Sequence, residues 1–235
     1  MLTLSLDTST YAGSIAVQRN SESIHFYLGD ENTTHGQRLP GDVLKLLDGV
    51  NATLNEVERY VVSIGPGPFT ALRVGIATVQ GFAIANEKIV IPISTLDATA
   101  WINRLENNSE EKLLVLLDAH RGEVFANLYS SDGVKTIATP IVGRPEEVFK
   151  SWSHVLSGER LLVVGNGAHR AKEVLTQFCR NYRIPAEAST SIAEGMLTML
   201  ANGRHTPIQP HRLSPLYIRK PDAILARASR ERNQR

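Results

Sequence analysis

The sequence predicts an α/β protein built from two similar lobes. Short apolar strands alternate with amphipathic helices, and the order of these elements in the first half recurs in the second. Of the 235 residues, 42% are hydrophobic and 21% are charged, which is ordinary for a chain that folds as one large domain or two small ones. The net charge of +1 argues against a general electrostatic attraction to nucleic acid or to anionic membranes.

The first lobe is predicted to open on a three-stranded antiparallel meander. Residues 2–7 (LTLSLD) alternate in polarity and end at Asp7, and strands at 14–18 and 23–28 follow, separated by a turn at Arg19-Asn20-Ser21. The remaining elements are predicted as a helix at 36–50, a strand at 60–64, a helix at 69–87 and a strand at 88–93.

The same order starts again at residue 113. Strand 113–118 ends at Asp118, in the place equivalent to Asp7, and strand 123–129 leads into a hairpin turn at Asp132-Gly133. After a third strand in VKTIATPIV, the predicted elements are a helix near 145–153, a strand at 160–165, and helices at 168–182 and 190–203.

A connecting helix is predicted over 94–108, with Ser94 as its N-cap and Asp97 three residues further on. The boundary is placed near residue 100, which gives an N-terminal lobe of 1–100 and a C-terminal lobe of 101–235 with a basic tail. Two lobes that each open on a meander predict the duplicated ribonuclease-H-like architecture of the actin-like and sugar-kinase (ASKHA) superfamily.

Asp7 and Asp118 are the first candidates for chemistry. In two-lobed phosphotransferases, carboxylates at the ends of the first strands hold Mg²⁺ near the ATP phosphates. The alternative is that each aspartate only accepts backbone N–H groups in its own tight turn. Residues 8–12 are not glycine-rich, as a phosphate-binding turn would be, and this favours the turn role.

Other catalytic patterns are incomplete. In VVGNGAHR (163–170), Arg170 stands where a dinucleotide motif has its third glycine, which favours a plain strand-to-helix turn. Cys179 is predicted as a small buried side chain of a helix, and there is no G-x-S-x-G motif. No two histidines are three or four residues apart, which excludes HxxxH and HExxH metal sites; they are residues 25, 35, 120, 154, 169, 205 and 211.

Helix 69–87 is apolar nearly all round. Between Phe69 and Ala85 its only strongly polar residues are Arg73 and Gln80, so nearly every side must be covered. Its small residues recur at intervals of four, as Ala71 with Gly75 and as Ala77, Gly81 and Ala85, which allows close approach of another backbone. One face is expected on the sheet, and a second face then needs a partner inside or outside the chain.

The loop GPGP before this helix is unsuited to phosphate, because the prolines have no N–H to donate and the Lys-Ser/Thr pair of a P-loop is absent. It is predicted to be a rigid elbow, with Gly67-Pro68 as the helix entry and Pro68 in the first turn.

Two features bear on location and on partners. There is no basic region of a signal peptide, no run of 18 apolar residues and no cysteine besides Cys179, which together predict a cytoplasmic protein. Residues 219–235 carry Asp222 and Glu231 against six cationic side chains, Arg219, Lys220, Arg227, Arg230, Arg232 and Arg235. This tail either contacts a phosphate backbone or is a solvated chain end.

The stretch GPGPFTALRVG (65–75) closely resembles the GPGSFTGLRIG signature of the TsaB (YeaZ) family. LSLDTS, LDAHRGEV, VVGNGA and SPLYIRKPDA resemble further blocks of that family, spread over almost the whole chain. Two departures stand out at the junction of loop and helix, where Pro68 replaces a serine and Ala71 a glycine, and they leave the detailed contacts there open.

The resemblance implies an actin-like fold and a non-catalytic scaffold. Its expected partners are a homologue of TsaD, the catalytic subunit that makes threonylcarbamoyladenosine next to the anticodon of tRNA, and a homologue of the ATPase TsaE. A homodimer is expected when TsaD is absent, together with weak tRNA contact through the basic tail. The metal-binding HxxxH pair of TsaD is missing, so neither metal nor cofactor is expected.

The face expected to bind the partner lies on helix 69–87. It consists of Arg73, Val74, Ala77, Thr78, Gly81 and Ala85, with Arg73 at the rim reaching water or a carboxylate. Two rival functions are an independent phosphotransferase or ATPase built on Asp7, Asp118 and Gly165-Asn166-Gly167, and a metallopeptidase, against which the histidine spacing argues.

Overall fold

The computed structural model describes residues 1–219 except residues 21, 23, 105–109, 186–190 and 204. The first lobe contains β1 (Leu2–Asp7), β2 (Ser14–Arg19), β3 (His25–Leu28), α1 (His35–Gly49), β4 (Val57–Ser63), α2 (Phe69–Ala85) and β5 (Ile89–Ile93), followed by α3 (Thr95–Asn103). The rest contains β6 (Lys112–Asp118), β7 (Val124–Tyr129), β8 (Ile141–Gly143), α4 (Pro145–Ser151), α5 (Ser153–Leu156), β9 (Leu161–Val164), α6 (Ala168–Phe178), β10 (Tyr182–Arg183) and α7 (Ile192–Met199).

The two sheets have the same topology. The first has the order β3-β2-β1-β4-β5 and the second the order β8-β7-β6-β9-β10. In each, the first three strands pair antiparallel and the last two add in parallel. The predicted duplication of a ribonuclease-H-like lobe is therefore confirmed, and the fold is that of the actin-like superfamily.

The described elements stack in five layers. Helices α1 and α2 cover one face of the first sheet, and α3 and α7 fill the space between the two sheets. The far face of the second sheet is covered by α4, α5 and α6. Both strand sets are thus buried on two sides, which is why β6 reads as a nearly continuous apolar run. Strand β1 alternates instead, and it buries Thr3 and Ser5 as well as its leucines.

Two predicted helices end earlier than their apolar pattern indicates. The helix predicted over 168–182 stops at Phe178, because Cys179 takes an extended conformation (φ −140°, ψ 125°) and the chain continues as β10 beside β9. The helix near 145–153 breaks at Trp152 into α4 and α5. Helix α3 ends at Asn103, and residues 105–108 of its predicted span lie outside the described residues.

The end of the described chain returns to the first lobe. Helix α7 packs on β1, β2 and β4, and residues 205–219, here called the C-terminal strap, run across α2. Along the strap, Ile208 pairs with Val90, and the Leu216 N–H donates to the Ile64 carbonyl at 2.7 Å. The boundary near residue 100 falls inside α3 and stays a prediction. No helix among the described residues is long and apolar enough to cross a membrane.

Candidate functional site

The entry to α2 is held by contacts with two other segments. Pro68 is the N-cap residue (φ −58°), one residue before the helix rather than in its first turn as predicted, and its carbonyl accepts the Leu72 N–H at 3.0 Å. Gly67 lies against the backbone of Ser9, and the Gly65 carbonyl accepts the Thr95 N–H at 2.8 Å. The loop therefore fixes where α2 starts relative to β1 and α3.

One small-residue stripe of α2 is an internal contact. Gly75 is buried, and a Cβ atom there would lie 2.4 Å from the Thr8 hydroxyl. That hydroxyl donates to the Ala71 carbonyl at 2.8 Å. Ala71 and Gly75 thus allow α2 to approach the turn after β1, and no outside partner is needed on this side.

The other small-residue stripe is open. Ala77, Gly81 and Ala85 are exposed, and Val74 and Thr78 are half-buried. No atom lies within 4 Å of where a Gly81 Cβ atom would be. These five residues and Arg73 are the six predicted to bind a partner, and they occupy the i, i+4 ridges of one helix face.

Arg73 makes contacts within the chain that were not predicted. Its Nε donates to the Tyr217 hydroxyl at 3.1 Å, and its guanidinium carbon lies 3.7 Å from the centre of the Phe69 ring. Phe69 and Tyr217 stack with ring centres 5.1 Å apart. The strap thus brings a tyrosine to the exposed Arg73, and the predicted contact with water or a carboxylate stays a prediction.

Several exposed apolar side chains extend this face beyond the predicted set. Ile84 is 60% exposed on α2, and Phe69, Leu216 and Tyr217 are each exposed by 38–40%. The helical periodicity of α2 could have predicted that Ile84 lies on this face, because it follows Gly81 by three residues. Nothing in the local sequence brings the strap next to Phe69, so that contact was not predicted.

Asp7 and Asp118 end equivalent strands but serve their own turns. The Asp7 Oδ1 accepts the Ser9 N–H at 3.1 Å, and the Asp118 Oδ1 accepts the His120 N–H at 2.9 Å. Arg170 also donates to Asp118 at 2.8 Å. These hydrogen bonds are the ones expected if each aspartate only stabilises its own backbone turn, which was the alternative to binding a metal ion.

Asp7 is fully enclosed. Only 1% of its surface is exposed, and burial raises the pKa of its carboxyl, while the Ser9 N–H that donates to Oδ1 lowers it in part. Within the described residues, its Oδ2 and the Ser63 hydroxyl are buried without a hydrogen-bond partner. A carboxylate in this position is poorly placed to contact a ligand in the cleft between the lobes.

The Gly165-Asn166-Gly167 turn is shaped by the neighbouring strand. Gly165 has φ +97°, and a Cβ atom there would lie 2.3 Å from the Leu116 carbonyl oxygen. The Asn166 Oδ1 accepts the Asp118 N–H at 2.8 Å. Close packing of α6 on β6 explains both glycines, in agreement with a plain strand-to-helix turn.

A cleft of about 750 Å³ separates the lobes. Its walls are mostly apolar and come from the turn after β1, from β3, α3 and α7, and from β6, β9 and α6 of the second lobe; they include Tyr11, Leu28, Thr99, Leu117, Val164, Asn166, His169, Ile184 and Ile192. At its rim the Tyr11 ring lies edge-on to His120, with centres 6.0 Å apart.

A buried polar network behind the β1 turn was not predicted. His35 Nε2 lies 3.0 Å from the Thr10 carbonyl, Arg38 contacts His35 Nδ1 and the Ala12 carbonyl, and Arg38 pairs with Asp42 at 2.7 Å. Burial lowers the pKa of His35, which favours a neutral ring that donates to Thr10 and accepts from Arg38. His35, Arg38 and Asp42 are spaced three and four residues apart, so the sequence could have indicated that they share one face of α1.

The last two predicted features to be located are metal-ligand clusters and the basic tail. No group of three or more His, Cys, Asp or Glu side chains suited to a metal ion occurs among the described residues. Of the basic tail, only Arg219 is described; its Nη1 donates to the Ala119 carbonyl at 2.9 Å and it pairs with Glu123. Arg227, Arg230, Arg232 and Arg235 lie outside the described residues.

Comparison with known proteins adds family relationships. Residues 31–186 match the family model TsaD, tRNA N6-adenosine threonylcarbamoyltransferase. The tRNA threonylcarbamoyladenosine biosynthesis protein TsaB of Escherichia coli is 33% identical over 174 residues, covering 71% of this chain and 72% of that protein. The uncharacterized protein ML0378 of Mycobacterium leprae is 32% identical over 226 residues, which are 94% of this chain but only 56% of that protein.

The fold agrees with these relationships. The solved structure of YeaZ from Pseudomonas aeruginosa is 26% identical and superposes with a TM-score of 0.72, covering 92% of this chain and 99% of that one. The chain therefore belongs to the sequence family described by the TsaD model and, within it, to the TsaB (YeaZ) group.

Proposed function

We propose that the chain is a non-catalytic subunit in tRNA threonylcarbamoyladenosine biosynthesis, and that it binds a TsaD homologue through the exposed face of α2. Membership of the TsaB group supports the pathway, because its named relatives are biosynthesis proteins for this modified nucleoside. A TsaE homologue is the further expected partner, and the cytoplasm is the expected compartment.

The observation that carries the proposed interface is the open stripe of Ala77, Gly81 and Ala85. Small side chains on one helix face allow a second helix to approach closely, and apolar neighbours such as Ile84 supply area to bury. Gly81 costs about 1 kcal/mol of helix stability relative to alanine, yet nothing within the described chain approaches it. A partner helix would supply the missing contact.

A non-catalytic role is supported by the state of the two strand-end aspartates. Phosphoryl transfer in a two-lobed enzyme needs carboxylates that face the nucleotide and its metal. Asp7 is instead enclosed, and Asp118 is engaged by the His120 N–H and by Arg170. We expect the isolated chain to hydrolyse ATP negligibly and to bind no catalytic metal.

The same stripe offers a surface for self-association when TsaD is absent. An isologous dimer about a twofold axis brings two copies of one face together, and a helix with a small-residue stripe can pack on its own copy. We propose a homodimer of this kind that gives way to the heterodimer.

Co-purification tests the proposal. The chain and the TsaD homologue of the same organism are mixed, and the complex is measured by size-exclusion chromatography with light scattering. We expect a heterodimer that Ala77→Glu abolishes, because a charge cannot enter a close helix contact without large desolvation cost. If a folded Ala77→Glu variant still forms the complex in full, the exposed face of α2 is not the interface.

A further inference from the structure

The second lobe carries a basic pocket that the proposed function does not use. It has a volume of about 420 Å³ and lies between the outer face of α6 and β10, on the opposite lobe from α2. Its lining, here called the α6 pocket, consists of His169, Lys172, Thr176, Arg180, Tyr182, Arg183 and Ile184.

Two of its cations are available to a ligand. Lys172 and Arg180 are exposed, and neither forms an ion pair with another described residue. Lys172 lies on α6 one turn before Thr176, and Arg180 lies two residues past the end of the helix at Phe178. Their charges point to an anion, because exposed cations without protein partners gain most from a multivalent acceptor.

The third cation is fixed in place. Arg183 donates from Nε to both carboxylate oxygens of Glu111 at 3.0 and 3.1 Å and from Nη2 at 2.9 Å. Glu111, the residue before β6, is buried. Its charge offsets that of Arg183, which leaves two positive charges among the described lining residues.

The floor of the pocket is also held by hydrogen bonds. The Thr176 and Tyr182 hydroxyls lie 2.7 Å apart, and both are within hydrogen-bond distance of the Lys172 carbonyl, at 2.9 and 3.2 Å. Because each hydroxyl has one proton, one of them donates to the carbonyl and the other donates to its neighbouring hydroxyl. The tyrosine ring is thereby positioned beside the cations without occupying the space between them.

The pocket opens towards the cleft between the lobes. His169 and Ile184 line both cavities, so an anionic group in the pocket can belong to a molecule whose apolar body lies in the cleft. Phosphate groups fit this charge, because the two negative charges of a phosphomonoester, or the single charges of two adjacent RNA phosphodiesters, match the two cations. Their oxygens accept bonds from lysine, arginine and imidazole donors.

We propose that the α6 pocket binds a phosphate group, either that of a small phosphomonoester such as a mononucleotide or that of an RNA backbone. The site is independent of the α2 face, and its failure would leave the proposed function untouched.

Nuclear magnetic resonance titrations of the full chain test the site with inorganic phosphate as the first probe. We expect saturable shifts of Thr176 and Tyr182 amides, with sodium chloride at equal ionic strength producing none. In Lys172→Gln/Arg180→Gln the affinity should fall at least about tenfold, because two charge-assisted contacts are lost. The control Lys45→Gln/Arg144→Gln removes one lysine and one arginine elsewhere and should bind like the natural chain.

Two further probes distinguish the source of the phosphate. Tighter binding of AMP than of phosphate, with shifts that reach Asn166 in the cleft, identifies a mononucleotide ligand. A single-stranded RNA 12-mer is the second probe, and its affinity is measured at several salt concentrations. If the slope of log affinity against log salt is smaller in magnitude by about 1.4 in the double variant, the ligand is an RNA backbone. The proposal is overturned if no probe gives saturable shifts at the pocket, if chloride gives the same shifts, or if the double variant binds as well as the control.

Discussion

Asp7 shows how one residue type takes two roles at equivalent positions. Asp7 and Asp118 both end the first strand of a lobe and both accept an N–H two residues later. Asp118 is partly exposed and paired with Arg170, whereas Asp7 is buried with one oxygen unpartnered among the described residues. Both were correctly predicted at strand ends, but the burial of Asp7 depends on residues distant in sequence, such as Ser63 of β4 and His35 of α1.

Asp7→Asn is expected to stabilise the protein at neutral pH. Burial raises the pKa of Asp7, so the native state holds this proton more tightly than the unfolded chain, and its contribution to stability is lost as pH rises above the ordinary aspartate range. Asparagine keeps an oxygen for the Ser9 N–H and carries no charge. We will compare the melting temperatures of Asp7→Asn and the natural chain from pH 4 to 8. At pH 7 the variant should melt at a higher temperature, by about 2–4 °C for each kcal/mol gained, and at pH 4 the two proteins should melt at the same temperature.

The matched control is Asp118→Asn, which should give no gain at pH 7 because it removes the partner of Arg170. A loss of stability in Asp7→Asn at pH 7 would contradict the account and indicate that the ionised carboxylate is needed in the native state.

Among the elements, α2 carries both of the small-residue stripes, and the structure separates their functions. The periodicity predicted the helix and the exposed set Ala77, Gly81 and Ala85. It could not tell which stripe meets the protein itself, because the contact of Gly75 with Thr8 joins residues 67 positions apart. Spacing identifies which residues share a face of a helix, but only the tertiary arrangement shows which face is covered.

Two glycine variants of α2 should therefore behave in opposite ways. Gly75→Leu should destabilise the fold by about 1–3 kcal/mol or more, because even its Cβ atom would lie 2.4 Å from the Thr8 hydroxyl. Gly81→Leu should leave the melting temperature unchanged or slightly higher, since leucine is a better helix former, while association is lost. Thermal melts and light scattering on both variants measure the two properties separately.

If Gly81→Leu unfolds the monomer, the exposed stripe serves the core instead. If it stays folded and still associates, another face makes the interface.

At the scale of the whole molecule, the C-terminal strap joins the lobes. Gln80 donates to the Pro210 and Leu213 carbonyls at 2.9 and 3.2 Å, and Tyr217 stacks on Phe69. Arg219 then reaches the second lobe at Ala119 and Glu123. The strap thus links the start of α2 to the turn after β6, at the rim of the cleft.

Arg219→Ala should lower the melting temperature by on the order of 5 °C, because a charge-assisted bond to a carbonyl and a contact with Glu123 are lost. Arg144→Ala, an exposed arginine at the N-cap of α4, is the control and should change it little. Equal melting temperatures for the two variants would mean that the strap does not hold the lobes together.

The repeat of strands and helices was sufficient to predict the two-lobed fold, because each lobe repeats the same local pattern. The path of the strap and the return of α7 to the first sheet were not predictable in the same way. These contacts join residues more than 100 positions apart, such as Arg73 with Tyr217, and neither end carries a local signal. The neutral His35 network likewise depends on the turn at Thr10 to Ala12 lying against α1.

The central claim is that this chain supports a TsaD homologue without doing chemistry itself. The most direct measurement is threonylcarbamoyladenosine formation on tRNA in a reconstituted reaction, with each subunit omitted in turn and with Gly81→Leu or Asp7→Asn in place of the natural chain. We expect formation to fall to background without this chain and with Gly81→Leu, but to persist with Asp7→Asn. Full activity without the chain, or its loss in a folded Asp7→Asn variant that still binds the TsaD homologue, would contradict the claim.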